Sequence, residues 1–118
     1  MAGDANTSRK ASAKLLRQEF QALRLTCGIL IKTTRAYKRS GHPDGLRQVD
    51  IANTTGASQN EVSRIENGTF IPPDAKLRAV LTASGFDLIA PGGKSVLALM
   101  TFLRDSADDI AAVEQELP

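Results

Sequence analysis

Two neighbouring amide side chains, Gln59 and Asn60, stand at the start of a short segment whose pattern is helical. An amide carries a donor and an acceptor side by side, the arrangement that pairs bidentately with N6 and N7 of adenine. Ser63 and Arg64 follow one turn later, and an arginine placed there contacts either a guanine or a phosphate. These residue types and this spacing predict a base-reading surface made of Gln59, Asn60, Ser63 and Arg64.

The segment that positions these side chains is Leu46–Gly68, which reads as two short helices joined by a tight turn. The first helix, over residues 47–55, is followed by Gly56, and glycine adopts the left-handed backbone of a helix C-terminus at little cost. Ser58 and Glu61 have the spacing of a capping box, which starts the second helix. A second helix that presents polar amides after such a turn is the layout of a DNA-reading helix-turn-helix.

The second helix also predicts an inner face and a set of phosphate contacts. Val62 and Ile65 lie three residues apart, so they share a buried side. Glu66 is expected to pair within the domain, because an acid beside phosphates would repel them. Amides and the free N–H groups of a helix N-terminus suit phosphate oxygens. The residues expected to contact phosphates are Arg47, Gln48, Ser58, Asn67 and Thr69.

The run LRQVDIANTTGASQNEVSRIENG resembles the helix-turn-helix of the phage Cro and repressor type, also called the xenobiotic-response-element family. The resemblance extends weakly over about residues 29–86, roughly half of the chain. It implies a sequence-specific regulator that binds double-stranded DNA as a homodimer. The alternative that it implies is an antitoxin that neutralises a toxin or other protein partner and regulates its own operon. The residues that carry the resemblance are Gln48, Ile51, Ala52, Gly56, Ser58, Gln59 and the stretch from Val62 to Gly68.

Composition is that of an ordinary globular domain, whereas charge is unevenly distributed. Hydrophobic residues make up 42% and charged residues 24% of 118 residues, which favours one domain. Residues 1–50 hold ten Lys or Arg and four acids, a net charge of +6, while residues 51–118 carry a net charge of −4. A basic first half suits a nucleic-acid face. A chance asymmetry of solvated helices is the alternative interpretation.

No pattern in the sequence predicts catalysis, a cofactor or a metal site. Gly92–Ser95 lacks the upstream glycine of a phosphate-binding loop. His42 lies in a predicted loop over residues 40–45 without metal-ligand spacing, and Cys27 falls on an apolar stripe as a buried hydrophobe. No apolar run approaches the ~20 residues of a membrane helix, and the N-terminus has no apolar signal region. We therefore expect a cytoplasmic protein that is not an enzyme.

Additional helices are predicted on both sides of this segment. A heptad-like apolar stripe runs from Leu16 to Tyr37, with Gly28 as its weak point. Residues 10–39 are therefore one long helix or two helices broken near Thr26–Gly28, and the break is favoured. In the broken form, residues 11–25 either cover the core or contact a second subunit.

The C-terminal part predicts a helix over residues 75–84, a short segment over residues 86–90 and a last helix over residues 95–116. The short segment alternates apolar and polar residues, so it is a strand or a loop packed by Phe86 and Leu88. The last helix either folds on the same core or makes the dimer. The dimer is narrowly favoured, and its expected seam is Leu99, Leu103 and Ile110.

Together these patterns predict an all-α fold: a compact helical bundle with a lambda-repressor-like helix-turn-helix and extra N- and C-terminal helices. The predicted organisation is a disordered arm over residues 1–9, a DNA-binding domain over residues 10–90, and a C-terminal helix over residues 91–118. The DNA-binding domain includes the added N-terminal helix. The C-terminal helix is the candidate dimerisation element of a homodimeric repressor.

Overall fold

A computed structural model describes the backbone of residues 2–37 and 46–116, and the side chains of residues 11–37, 46–107 and 109. Within these residues the chain is all-helical, without a strand. The predicted loop over residues 40–45, with His42, lies outside this range. Five helices follow one another in the described chain: α1 (Ala2–Tyr37), α2 (Gln48–Thr55), α3 (Gln59–Glu66), α4 (Asp74–Ser84) and α5 (Pro91–Glu116).

Helix α1 is one uninterrupted helix of 36 residues, so the favoured break near Thr26–Gly28 is wrong. Gly28 does not interrupt it. The absence of a side chain at Gly28 instead allows α1 to approach α3 closely. A Cβ on Gly28 would overlap the backbone carbonyl of Glu66 at the end of α3. The helix also begins at Ala2, where the sequence predicted a disordered arm over residues 1–9.

The core lies where the helices meet, and α1 packs most extensively against α5. Every helix contributes side chains that are almost fully withdrawn from water, and burying each aliphatic one stabilises the fold by about 1.5–3 kcal/mol. Because aromatic residues are few, aliphatic side chains make most of this core. Its most deeply buried apolar members are Cys27, Ile31, Ile51, Val62, Ile65, Leu77, Val80, Leu81, Met100 and Leu103.

Helix α5 belongs to this same core. Leu103 is fully buried, so it is not available for the expected dimer seam, and Leu99 is half-buried against the core. The side chain of Ile110 lies outside the described residues. Arg104 holds α5 to the start of α4, since its guanidinium lies 2.7 Å from Asp74 and donates to the carbonyl of Pro72 at 3.0 Å.

The segment between α4 and α5 is a turn packed by Phe86 and Leu88, so of the two alternatives for residues 86–90 the loop is correct and the strand is not. Helix α5 then begins at Pro91, four residues before the predicted start at Ser95. Proline suits the first helical position, where its missing N–H would have no intrahelical partner. Position 93 requires glycine, because a Cβ there would overlap the carbonyl of Asp87.

None of the described helices is both long enough and apolar enough to cross a bilayer. The described chain measures 64 × 28 × 23 Å. Its radius of gyration of 17.1 Å exceeds the roughly 13–14 Å of a compact sphere-like domain of this length. The long α1 gives the molecule this elongated shape.

Candidate nucleic-acid interface

The turn between α2 and α3 has the predicted geometry. Gly56 adopts φ 77°, a left-handed conformation, and its N–H donates to the carbonyl of Ala52 at 3.1 Å. Ser58 then caps α3: its Oγ accepts from the backbone N–H of Glu61 at 3.0 Å, and its own N–H donates to Glu61 Oε1 at 3.1 Å. The capping box is confirmed, and a cap of this kind stabilises a helix start by about 1 kcal/mol.

Helix α3 has one buried and one exposed side. Val62 and Ile65 are 0% and 1% exposed, which confirms the predicted inner face. Gln59, Asn60 and Arg64 are exposed on the other side, and Ser63 lies on that same side but is half-buried. The structure therefore brings the four predicted base-reading residues to the solvent side of one short helix.

A buried ion pair fixes the C-terminal end of α3. Glu66 is 5% exposed, and its carboxylate accepts two hydrogen bonds from Arg35 of α1, at 2.6 Å to Nε and 2.9 Å to Nη2. Gln48 of α2 donates a third, from Nε2 to Oε1 at 3.0 Å. The prediction that Glu66 pairs within the domain is confirmed. These bonds join α1, α2 and α3, so the exposed face of α3 is held by a rigid support.

The predicted phosphate-contacting residues fall into two places. Arg47 and Gln48 lie at the start of α2, which the bond between Gln48 and Glu66 brings beside the end of α3. Asn67 and Thr69 follow that end, joined by a hydrogen bond of 2.6 Å from Thr69 Oγ1 to Asn67 Oδ1. Ser58 lies at the opposite end of α3, about 12 Å away along the helix axis.

The structure gives Gln48 and Arg64 bonding partners that the sequence did not indicate. The side chain of Gln48 is half-buried and uses one N–H to bond Glu66, so it is oriented by the domain itself. The guanidinium of Arg64 lies 4.9 Å from the ring centroid of Phe70, a cation–π distance. Phe70 thus holds Arg64 near the C-terminal end of α3, one turn beyond Gln59 and Asn60.

The acidic side chains near this surface are bonded to bases. Glu61 lies 3.0 Å from Lys76 Nζ on α4, and Asp50 lies 3.4 Å from Arg47. The pKa of Glu61 is lowered below its ordinary value. The hydrogen bond from the Ser58 backbone is the largest cause, and the hydrogen bond from Lys76 is the next. Glu61 is therefore charged at neutral pH, yet its charge is balanced locally and repels an approaching polyanion less.

Sequence reasoning missed Arg35, Lys76 and Phe70 as residues that shape this surface. Arg35 lies four residues after Ile31 on the buried side of α1, so its position on the helix indicated burial, although not its partner. Lys76 and Glu61 are 15 residues apart on different helices, and no local pattern links them. Among the described residues, no group of three or more His, Cys, Asp or Glu side chains could hold a metal ion.

Cys27 confirms its predicted role as a buried hydrophobe. It is 0% exposed in the α1 part of the core, and burial raises the pKa of its thiol. A protonated, inaccessible thiol is a poor nucleophile and a poor metal ligand.

Comparison of the chain with protein-family models, with curated protein sequences and with solved structures finds no match in any of the three.

Proposed function

We propose that this chain is a sequence-specific DNA-binding transcriptional regulator that represses a promoter as a homodimer. The observation that carries the proposal is the division of α3 into two sides. Val62 and Ile65 lock the inner side into the core, while Gln59 and Asn60 stand exposed beside a capped helix start. In a DNA-reading helix-turn-helix, the start of the second helix is the part that reaches base edges.

The size of α3 fits the major groove. An α-helix with its side chains is about 10–12 Å in diameter, and the major groove of B-DNA is about 12 Å wide, so it admits a helix such as α3. In this placement Gln59 and Asn60 pair with adenine edges. Arg64, held over Phe70, reaches a guanine or a phosphate near the far end of α3.

The two groups of phosphate-contacting residues then bracket the groove. Ser58 contacts the phosphate backbone of the DNA at the start of α3. The residues that contact it near the C-terminal end of α3 are Arg47, Gln48, Asn67 and Thr69. Such contacts fix the register of the domain on the duplex without specifying sequence. The bonds to Glu66 support this function: Gln48 joins the start of α2 to the end of α3, and Arg35 joins that end to α1.

A lambda-repressor-like arrangement and membership of the xenobiotic-response-element family are part of the same proposal. Three local features support it: the left-handed Gly56, the Ser58–Glu61 cap and the buried Val62 and Ile65. They occur in one register, and that register places the polar side chains outward together.

A single α3 reads only a few base pairs, so a second copy is needed for a useful site. A two-fold dimer would place its recognition helices about one DNA turn, or ~34 Å, apart on a near-palindrome. The proposal therefore includes a symmetric operator, a property that can be observed without knowing which gene is regulated.

Selection of bound duplexes from a random pool tests the proposal. We expect enrichment of two half-sites related by two-fold symmetry, with centres about 10 base pairs apart. Fluorescence anisotropy on the selected duplex should give an affinity that falls with added salt, since phosphate contacts release counterions. A pool that shows no enrichment after repeated rounds would contradict sequence-specific binding.

A further inference from the structure

Helix α1 has a second apolar face that the core does not use. The core takes Ala13, Phe20, Cys27 and Ile31, whereas six large apolar residues point to solvent on another side of the same helix. This second face, the outer stripe, comprises these six residues together with the small residues Ala22 and Ala36. Its large members and their exposed fractions are Leu15 59%, Leu16 42%, Leu23 37%, Ile29 53%, Leu30 44% and Tyr37 83%.

The spacing of the outer stripe indicates what covers it. Its members form two columns with a strict seven-residue repeat, one over positions 16, 23, 30 and 37 and the other over positions 15, 22, 29 and 36. A seven-residue repeat keeps an apolar seam facing a second helix that supercoils with the first. The stripe is about 33 Å long, so its natural occupant is a helix of comparable length.

We propose that the outer stripe is covered by α1 of a second copy of this chain, with the two helices antiparallel and crossing near Thr26. The proposal deepens the proposed function by assigning the interface of its dimer, although it does not need DNA binding in order to hold. The core-facing residues of α1 are turned roughly 140° from the stripe, so each domain lies clear of the partner helix.

The antiparallel alignment makes the two columns self-complementary. A two-fold axis at Thr26 places each column against its own copy, so Leu23 meets the partner's Leu30 and Leu16 meets the partner's Tyr37. In the other column Leu15 meets the partner's Ala36, and Ala22 meets the partner's Ile29. Each contact of that second column joins a large side chain to a small one, which lets the helices approach closely.

Charge favours the antiparallel direction over the parallel one. Glu19 lies between the two columns, on the line of the stripe. In a parallel pair Glu19 would face the partner's Glu19, and like charges opposite each other in a helix pair are unfavourable. In the antiparallel pair Glu19 faces the partner's Thr33, so the two Glu19 carboxylates lie apart.

The available area is sufficient for a dimer. The six large side chains present roughly 600 Å² of apolar surface per chain, at the upper end of the largest patch on ordinary monomers. Burying it on both copies gives about 1,200 Å², the lower limit of stable protein interfaces. The face expected on α5 does not compete, because Leu103 is already fully buried within the chain.

Sedimentation velocity of the full chain at micromolar concentrations tests the interface. We expect a dimer for the wild type, and a monomer for the Leu23→Glu/Leu30→Glu variant, with the dimer dissociation constant raised at least about 100-fold. The Ile89→Glu variant is the matched control: Ile89 is 83% exposed but lies outside the stripe, so this variant should remain a dimer. A monomeric wild type, or a dimer that persists in the double variant, would overturn the inference.

Disulfide trapping tests the direction of the helices with a readout independent of stability. A mixture of the Glu19→Cys and Thr33→Cys variants should form a cross-linked heterodimer under mild oxidation, while Glu19→Cys alone should form little. Cys27 is fully buried and stays out of the exchange. Rapid cross-linking of Glu19→Cys alone would overturn the antiparallel direction. A monomer that still selects DNA would overturn this inference alone, whereas a dimer without sequence preference would overturn only the proposed function.

Discussion

Replacing Arg35 by Met should remove the ion pair that holds the end of α3. The methionine side chain still fills much of the space that the arginine occupied. The Arg35 side chain is 10% exposed and makes two hydrogen bonds to Glu66, whose side chain is 3% exposed. In the Arg35→Met variant the Glu66 carboxylate stays buried with only the N–H of Gln48 as a donor. Removing one partner of a buried ion pair costs about 3–5 kcal/mol. For a domain of this size the melting temperature should fall by roughly 10–20 °C.

Urea unfolding followed by circular dichroism measures this loss, and the chain offers a matched control. Arg47 forms an ion pair with Asp50 at 3.4 Å, but its side chain is 72% exposed, so Arg47→Met should cost about 0–1 kcal/mol. The double variant Arg35→Met/Glu66→Leu should recover much of the stability, because it removes the unpaired charge. An Arg35→Met variant no less stable than Arg47→Met would refute the support assigned to this pair.

Three further predictions concern the fold. Gly28→Ala should destabilise the chain by about 1–3 kcal/mol in thermal unfolding, since the new Cβ overlaps the Glu66 carbonyl. The control is Gly92→Ala, which has open space around it and should be neutral or stabilise the chain by up to about 1 kcal/mol. Val62→Asp should abolish cooperative unfolding and promote aggregation, because it buries an unpaired charge; an unchanged melting curve would mean that α3 is rotated. Because the folded pKa of Glu61 is lowered, its contribution to stability is complete above the ordinary glutamate pKa and lost as pH falls through the folded value. Denaturant titrations below about pH 4.5 should therefore show wild type losing stability faster than Glu61→Gln, and parallel curves would count against the bonds from Ser58 and Lys76.

The parts of the fold that sequence predicted well depend on short-range interactions. The capping box joins Ser58 to Glu61, three residues away, and the left-handed turn needs only Gly56 itself. Residue type and spacing carry such information directly. The inward positions of Val62 and Ile65 follow from the helical period in the same way.

The parts that sequence missed depend on contacts between distant segments. Gly28 has the pattern of a helix break, yet its role is a close approach to the backbone of Glu66, 38 residues away in sequence. Pro91 and Gly93 have the pattern of a break as well, but they form the first turn of α5. Leu103 has the spacing of a dimer seam and is instead fully buried, because periodicity identifies an apolar face without identifying its partner.

The proposed function requires that the start of α3 contacts base edges. The most direct measurement is the affinity of Gln59→Ala and Asn60→Ala for the selected duplex and for a scrambled duplex of the same length, with Asn53→Ala, an exposed amide on α2, as the control. We predict that each α3 variant loses about 1–3 kcal/mol on the selected duplex, little on the scrambled one, and that the control loses little on either. Equal losses on both duplexes, or an equal loss in the control, would contradict the assignment of base reading to α3.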